Sequence, residues 1–292
     1  MAKSCRNVSE GPPGWQVRRF AAVPSALVFL AILTALAAAF MNTFDDSEEE
    51  GPPGDGGNDH RPLRERRFSG ICFVNIPPGE FTMDFSLLVA GMEENRQQAI
   101  ALSEFWIGKY EITNDEFRRF NSDHEGEPLL PASQLKWTEA SEFCKRSGFE
   151  LPTEAQWEYV ARSEGRSELS PLSGMGLGAF AWHSENSDLK LQPVGTKEAN
   201  LWGVHDMYGN VAEWVADWFS DVPEDPGRVI KDPVGPTVGS ARVFRGGCYR
   251  DSLRVLMSAE RKSTRPNDAN KEIGFRCAFM ARNGDEGRDC DY

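Results

Sequence analysis

Hydrophobic and polar positions divide the chain into three stretches. Phe20–Met41, FAAVPSALVFLAILTALAAAFM, is apolar and carries no charge. As a helix at ~1.5 Å per residue it reaches about 33 Å, enough to cross a bilayer core of about 30 Å. Residues 42–67, NTFDDSEEEGPPGDGGNDHRPLRERR, offer almost nothing apolar to bury and predict a solvated tether. Beyond them CFVNIPPGEFTM predicts a strand, a turn at Pro77-Pro78-Gly79 and a second strand, and FWIGKYEIT predicts another. Thr113 with Glu116 is a capping box opening a short helix that sets Phe117 and Phe120 on one side. Thr138 is placed to cap a second helix bearing Ala140, Phe143 and Cys144, with Gly148 where a C-cap is expected. Thr153 with Gln156 starts a third, in which Trp157 and Val160 share a face. After residue 165 helical periodicity fades, and Gly, Pro, Ser and Asn punctuate short strands. Early helices followed by loops and short strands indicate an α+β domain.

Charge orients these stretches. Arg18 and Arg19 precede the apolar run, and Asp45, Asp46, Glu48, Glu49 and Glu50 follow it. Basic flanks stay inside, which predicts a single-pass membrane protein: residues 1–19 cytoplasmic, 20–41 a transmembrane anchor, 42–69 a flexible acidic linker, 70–282 an extracytoplasmic domain and 283–292 a polar tail. The competing reading is a cleaved signal peptide ending near Ala35-Leu36-Ala37 or Ala37-Ala38-Ala39. The long leader and long run favour the anchor, and either reading exports the domain to a periplasmic, surface or lumenal location. Lys+Arg 32 against Asp+Glu 45, a net charge of -13, argues against nucleic acid as the main partner. The exported cysteines are Cys72, Cys144, Cys248, Cys277 and Cys290. Export permits disulfides, the odd count leaves a thiol over, and no Cys-x-x-Cys pair supports a thioredoxin-type site or zinc ribbon.

Four stretches carry a family resemblance: VNIPPGEFTM with FWIGKYEITNDEF; KWTEASEFCKRSGFELPTEAQWEYVAR; PVGTKEANLWGVHDMYGNVAEWVADW; and RVFRGGCYRDSLRVLMSAERKSTRPNDANKEIGFRCAF. In this order they resemble the sulfatase-modifying factor domain of the formylglycine-generating enzymes, over about residues 70–281. The resemblance implies a C-type-lectin-like domain with little regular secondary structure. For catalytic members it implies oxidation of a sulfatase cysteine by O₂ on copper(I) held between two thiolates after a Gly-Gly pair; soft sulfur suits that ion. This chain departs there. Gly246-Gly247 is followed at once by Cys248, the thiol positions hold Asp251 and neighbours such as Val255 and Leu256, and the stretch is shorter. The resemblance also implies a structural disulfide between Cys144 and Cys277. That leaves Cys248 as the lone catalytic candidate, read more simply as a small buried hydrophobe. Cys72 and Cys290, near the two ends of the domain, are a candidate pair.

In HDMYGNVAEW, Asp206 and Glu213 flank a Gly209-Asn210 turn. The resemblance implies calcium here, with Asp206 and Glu213 giving side chains and Gly209 and Val211 giving carbonyl oxygens, the hard donors that ion takes. Trp202, Trp214 and Trp218 read as packing around the turn. His183 and His205 read as hydrogen-bonded structural residues, and Arg261, Arg265 and Arg276 as partners of internal carboxylates, with an anion pocket as the sharper alternative. Residues 83–100 depart from the family pattern. Together these features predict a membrane-anchored binding or scaffolding module for an extracytoplasmic protein or small ligand, with structural calcium and without copper. The alternative is a formylglycine-generating oxidase using Cys248.

Overall fold

The computed structural model describes residues 63–84, 97–162, 176–221, 225, 227–256, 261–282 and 287–290. The expected anchor at 20–41, the leader before it and residues 42–62 lie outside the described residues. Among the described residues no helix is long and apolar enough to cross a membrane.

Eleven strands and three helices follow in the order β1 (Glu65–Phe68), β2 (Ile71–Ile76), β3 (Gly79–Asp84), β4 (Gln97–Leu102), β5 (Phe105–Gly108), α1 (Asn114–Arg118), α2 (Trp137–Arg146), α3 (Glu154–Ala161), β6 (Ala212–Trp218), β7 (Ile230–Lys231), β8 (Arg242–Arg245), β9 (Lys262–Thr264), β10 (Ile273–Phe275) and β11 (Ala278–Met280), among the described residues. They form sheets ordered β1-β2-β5-β11, β10-β6-β8-β9 and β3-β4-β7. The strands on either side of Pro77-Pro78 therefore enter different sheets. A proline cannot donate to a ladder, and the chain changes partner there.

Local chemistry sets the helices. Thr113 Oγ1 accepts the Glu116 N–H while Glu116 receives the Thr113 N–H, and Thr153 with Gln156 does the same for α3. The second helix begins earlier than its expected Thr138 cap. Lys136 takes the cap position without a side-chain acceptor for the first-turn N–H groups, and Glu139 at N3 accepts the Lys136 N–H at 2.8 Å, which is half of a capping box. Gly148, at φ +91°, closes that helix in the left-handed region.

Two further expectations are corrected. The linker does not run to residue 69, because β1 pairs with β2 and Phe68 stands edge-on to Phe73, Trp106 and Phe279. Nor are the described residues of the expected polar tail, 287–290, without partners in the fold. Arg67 and Arg288 exchange backbone hydrogen bonds, and Cys290 is bonded to Cys72. The first segment is ordered by strand pairing and the Phe68 ring, the second by backbone pairing and a covalent link.

One buried cluster gathers Trp157, Val160, Val204, Met207 and Val215; a second gathers Phe73, Phe117, Phe143, Trp214 and Phe275. Cys144 and Cys277 join α2 to the β10–β11 connection inside the second cluster, across a sequence separation of 133. Replacing both by alanine should cost about 2–5 kcal/mol, read as a lower urea midpoint with a somewhat steeper slope, because the unfolded chain loses its cross-link and expands. An unchanged midpoint would contradict a structural role for the bridge.

Candidate functional site

The stretch Arg245–Leu256 leaves β8 through two left-handed glycines, Gly246 at φ +94° and Gly247 at φ +68°. A β-carbon on Gly246 would press on the Trp157 ring at 3.1 Å. One on Gly247 would lie between the Leu256 side chain and Asp251 Oδ2. Asp251 and Leu256 thus converge on Gly247. Asp251 Oδ2 accepts the Cys248 N–H at 2.9 Å and lies 3.5 Å from Lys262 Nζ, and Leu256 is fully buried. Cys248 is the free thiol among the described residues. It is buried, and burial pushes its pKa up to about 11, so it stays protonated and a poor ligand at neutral pH. Cys277 is consumed by its disulfide. A carboxylate, an isobutyl group and one buried thiol do not fit copper(I), which selects paired soft sulfur.

The turn before β6 builds a second feature. Asn210, at φ +49° and fully buried, donates to Glu111 Oε2 at 2.7 Å, and the Val211 N–H donates to Glu111 Oε1 at 3.1 Å. Glu213 is equally buried. Arg276 grips it through Nη2 on Oε1 at 2.6 Å and Nε on Oε2 at 2.7 Å, and Trp157 Nε1 donates to Oε2 at 2.9 Å. Asp206 accepts the Gly195 N–H on Oδ2 at 2.6 Å, while its Oδ1 is buried without a hydrogen-bond partner.

Three carboxylates therefore share one buried region with one guanidinium. Burial, joined by the charges of Asp206 and Glu213, holds Glu111 well above the usual carboxylate range. Burial likewise raises Asp206 to about 6. For Arg276 burial opposes the charge, and the surrounding Glu213, Glu111 and Asp206 more than restore it. Of the implied calcium set, Asp206 fits a hard cation, because it keeps an oxygen with no donor in a region rich in negative charge. Glu213 fits only through lone pairs left over by Arg276 and Trp157.

The other expected residues fall into place around these two features. Trp202 and Trp214 are core residues, whereas Trp218 is only partly buried. The His183 ring accepts the Glu185 N–H through Nδ1, and His205 Nδ1 lies 2.9 Å from the Lys197 carbonyl oxygen; burial lowers the pKa of both. Arg261 pairs with Glu154 through Nε and Nη2 at 2.6 and 2.7 Å, Arg276 with Glu213, and Arg265 is exposed. These pairings leave no anion pocket at Arg261 or Arg276. Of residues 83–100, 85–96 lie outside the described residues and the ends form the β3–β4 ladder. Sequence reasoning missed Glu111. An acid beside apolar residues in KYEIT was the available signal, but its partner Asn210 lies 99 residues away.

Comparison with known proteins places this geometry. Residues 63–281 match the family described as the sulfatase-modifying factor enzyme 1-like domain, and the chain belongs to that family. A formylglycine-generating enzyme of Streptomyces coelicolor is 33% identical over 213 residues, covering 66% of this chain and 67% of that one. The serine/threonine-protein kinase Pkn1 of Chlamydia trachomatis is 31% identical over 209 residues, which cover 61% of this chain but only 34% of the kinase. In fold the chain is similar to the Treponema denticola variable protein 1, with TM-score 0.61 and 23% identity over 75% of this chain and 99% of that one. It is also similar to PvdO from Pseudomonas aeruginosa, with TM-score 0.60 and 21% identity over 76% and 99%.

Removing one partner of the buried pair strands the other. Arg276→Met alone should destabilise by about 3–5 kcal/mol, and adding Glu213→Gln should recover part of that loss. Urea unfolding of the four proteins in the cycle checks this; strictly additive losses would contradict direct pairing.

Proposed function

We propose that the chain is an exported, membrane-anchored member of its family that binds a ligand or partner and does not carry out the copper-dependent oxidation. The observation that carries this reading is that the stretch where the resemblance implies two thiols holds Asp251 and neighbours such as Val255 and Leu256, with Asp251 and Leu256 both against Gly247. None of these side chains offers the soft sulfur that copper(I) selects, and Cys248 alone makes no dithiolate. The match to a third of a protein named a kinase supports use of such a domain outside the oxidase reaction. The anchor rests on the uncharged run Phe20–Met41 and its charge flanks, which hold residues 1–19 in the cytoplasm and the domain outside.

The second reading is a formylglycine-generating oxidase, favoured by the 33% identity to the Streptomyces enzyme. Incubating the chain with a Cys-x-Pro-x-Arg peptide, copper(I) and O₂ separates the two. The expected outcome is no aldehyde above an enzyme-free blank; aldehyde that vanishes in Cys248→Ser would establish the oxidase.

We further propose that Asp206 and the carbonyls of Gly209 and Val211 hold a structural calcium ion, with Glu213 contributing from its Arg276-fixed position. The ion would neutralise the buried acidic region and cross-link the turn to β6. Because Asp206 takes up a proton near pH 6, calcium and protons compete for it. Added calcium should therefore raise the melting temperature at about pH 8 and do so much less at about pH 5. Asp206→Asn should abolish the rise. Melting curves identical with calcium and with chelator at both pH values would rule the ion out.

A further inference from the structure

A cavity of about 510 Å³ opens between the β3–β4–β7 sheet and the far end of β6. None of its lining residues comes from the Gly246–Leu256 stretch or from the Asp206–Glu213 turn. Its size lies in the range of small-molecule sites, which combine apolar walls with a few placed polar groups. Met83, Ile100, Ala155 and Trp218 supply apolar wall. Arg242 stacks on the ring of Trp218, its guanidinium carbon 3.6 Å from that centroid and 3.7 Å from that of Trp137. Next to lining residues in the chain, Val229, Val234 and Val238 are 55%, 69% and 79% exposed, so the apolar character continues onto the surface.

Asp217 is the polar group that this wall surrounds. It is 6% exposed and lines the cavity. Its Oδ2 accepts the Glu154 N–H at 2.7 Å, and its Oδ1 receives no donor among the described residues. Of the neighbouring cations, Arg261 is bonded to Glu154 and the Ser220 carbonyl, while Arg242 donates to the Ala216 carbonyl and keeps a buried Nε without a partner; both attract the Asp217 charge without a hydrogen bond to it among the described residues. Gly235, at φ +70°, passes so close that a β-carbon there would sit 2.7 Å from Oδ1. Any other residue at that position would clash with the carboxyl, so the loop packs directly against it.

We propose that this cavity binds a small organic ammonium ion with an apolar body, its N–H groups donating to Asp217 Oδ1 and its body lying against Trp218 and Ile100. A neutral apolar guest would leave Oδ1 without a donor, and an anion would lie against the Asp217 carboxylate. An ammonium offsets the cost of holding a carboxylate out of water. Burial, then the Glu154 charge, raise Asp217 to about 7, against the opposing pull of Arg261 and Arg242, so the acceptor form prevails above neutrality. This assignment goes beyond the binding reading above and holds whether or not the chain takes up copper.

Titrate the full-length chain in nanodiscs with 2-phenylethylamine by calorimetry, with 3-phenylpropanoate as the anionic control. Saturable binding of the amine is expected at about pH 8, weakening about tenfold by about pH 6 as the competent carboxylate fraction falls. Binding should disappear in Asp217→Asn, which keeps an acceptor for the Glu154 N–H, and in Ile230→Trp, which fills the cavity from an edge strand. Melting temperature reports folding of both variants, and Ile230→Trp carries the test if Asp217→Asn unfolds. Absence of amine binding at millimolar concentration, equal binding by a folded variant, or equal binding of the propanoate would overturn the proposal.

Discussion

Arg276 carries a positive charge with none of its surface in water, and the interior is arranged around that fact. Two of its donors take both oxygens of Glu213 on β6, another reaches the Gly108 carbonyl at the end of β5, and Nη2 also reaches the His205 carbonyl just before Asp206. Trp157 on α3 completes the shell of Glu213. One ion pair therefore ties two sheets, a helix and the turn carrying the acidic residues. A buried charge tolerates little displacement, because any partner lost leaves it uncompensated. That intolerance makes the pair a determinant of geometry, whatever its net contribution to stability.

A second ionic group extends the same logic. Arg245 lies between Glu158, at 2.6 Å, and Glu154, at 3.4 Å, while Arg261 closes on Glu154 from the other side. These contacts fix where β8 delivers the Gly246-Gly247 pair. The two left-handed glycines then leave the room over Gly247 in which the Asp251 and Leu256 side chains meet. The frame can thus persist while the chemistry at its tip changes, which is why family membership and oxidase activity are separate statements for this chain.

What could be read in the residues was whatever depends on near neighbours. Thr113 with Glu116 and Thr153 with Gln156 satisfy each other three positions apart, and both helices form where that spacing places them. The YGNVAEW and GFRC motifs marked the family, yet not that Glu213 and Arg276 hold each other directly. Glu111 stayed hidden because its role comes from a partner on a distant turn. Glu65–Phe68 looked like linker because its ordering comes from β2 and from Asp289, which sits 2.7 Å from Arg66 across 223 positions. Asp217 gave no signal at all: in VADW it resembles an outward polar residue of a strand, and only the fold places it in the wall of a cavity.

This frame keeps its ionic core and lacks the paired sulfur at its tip. Competitive titration of copper(I) into the disulfide-intact chain, against a chromophoric chelator, tests that statement most directly. The chelator is expected to retain the metal, with no stoichiometric transfer to the protein. Transfer of one equivalent, abolished by Cys248→Ser with the fold intact, would contradict it.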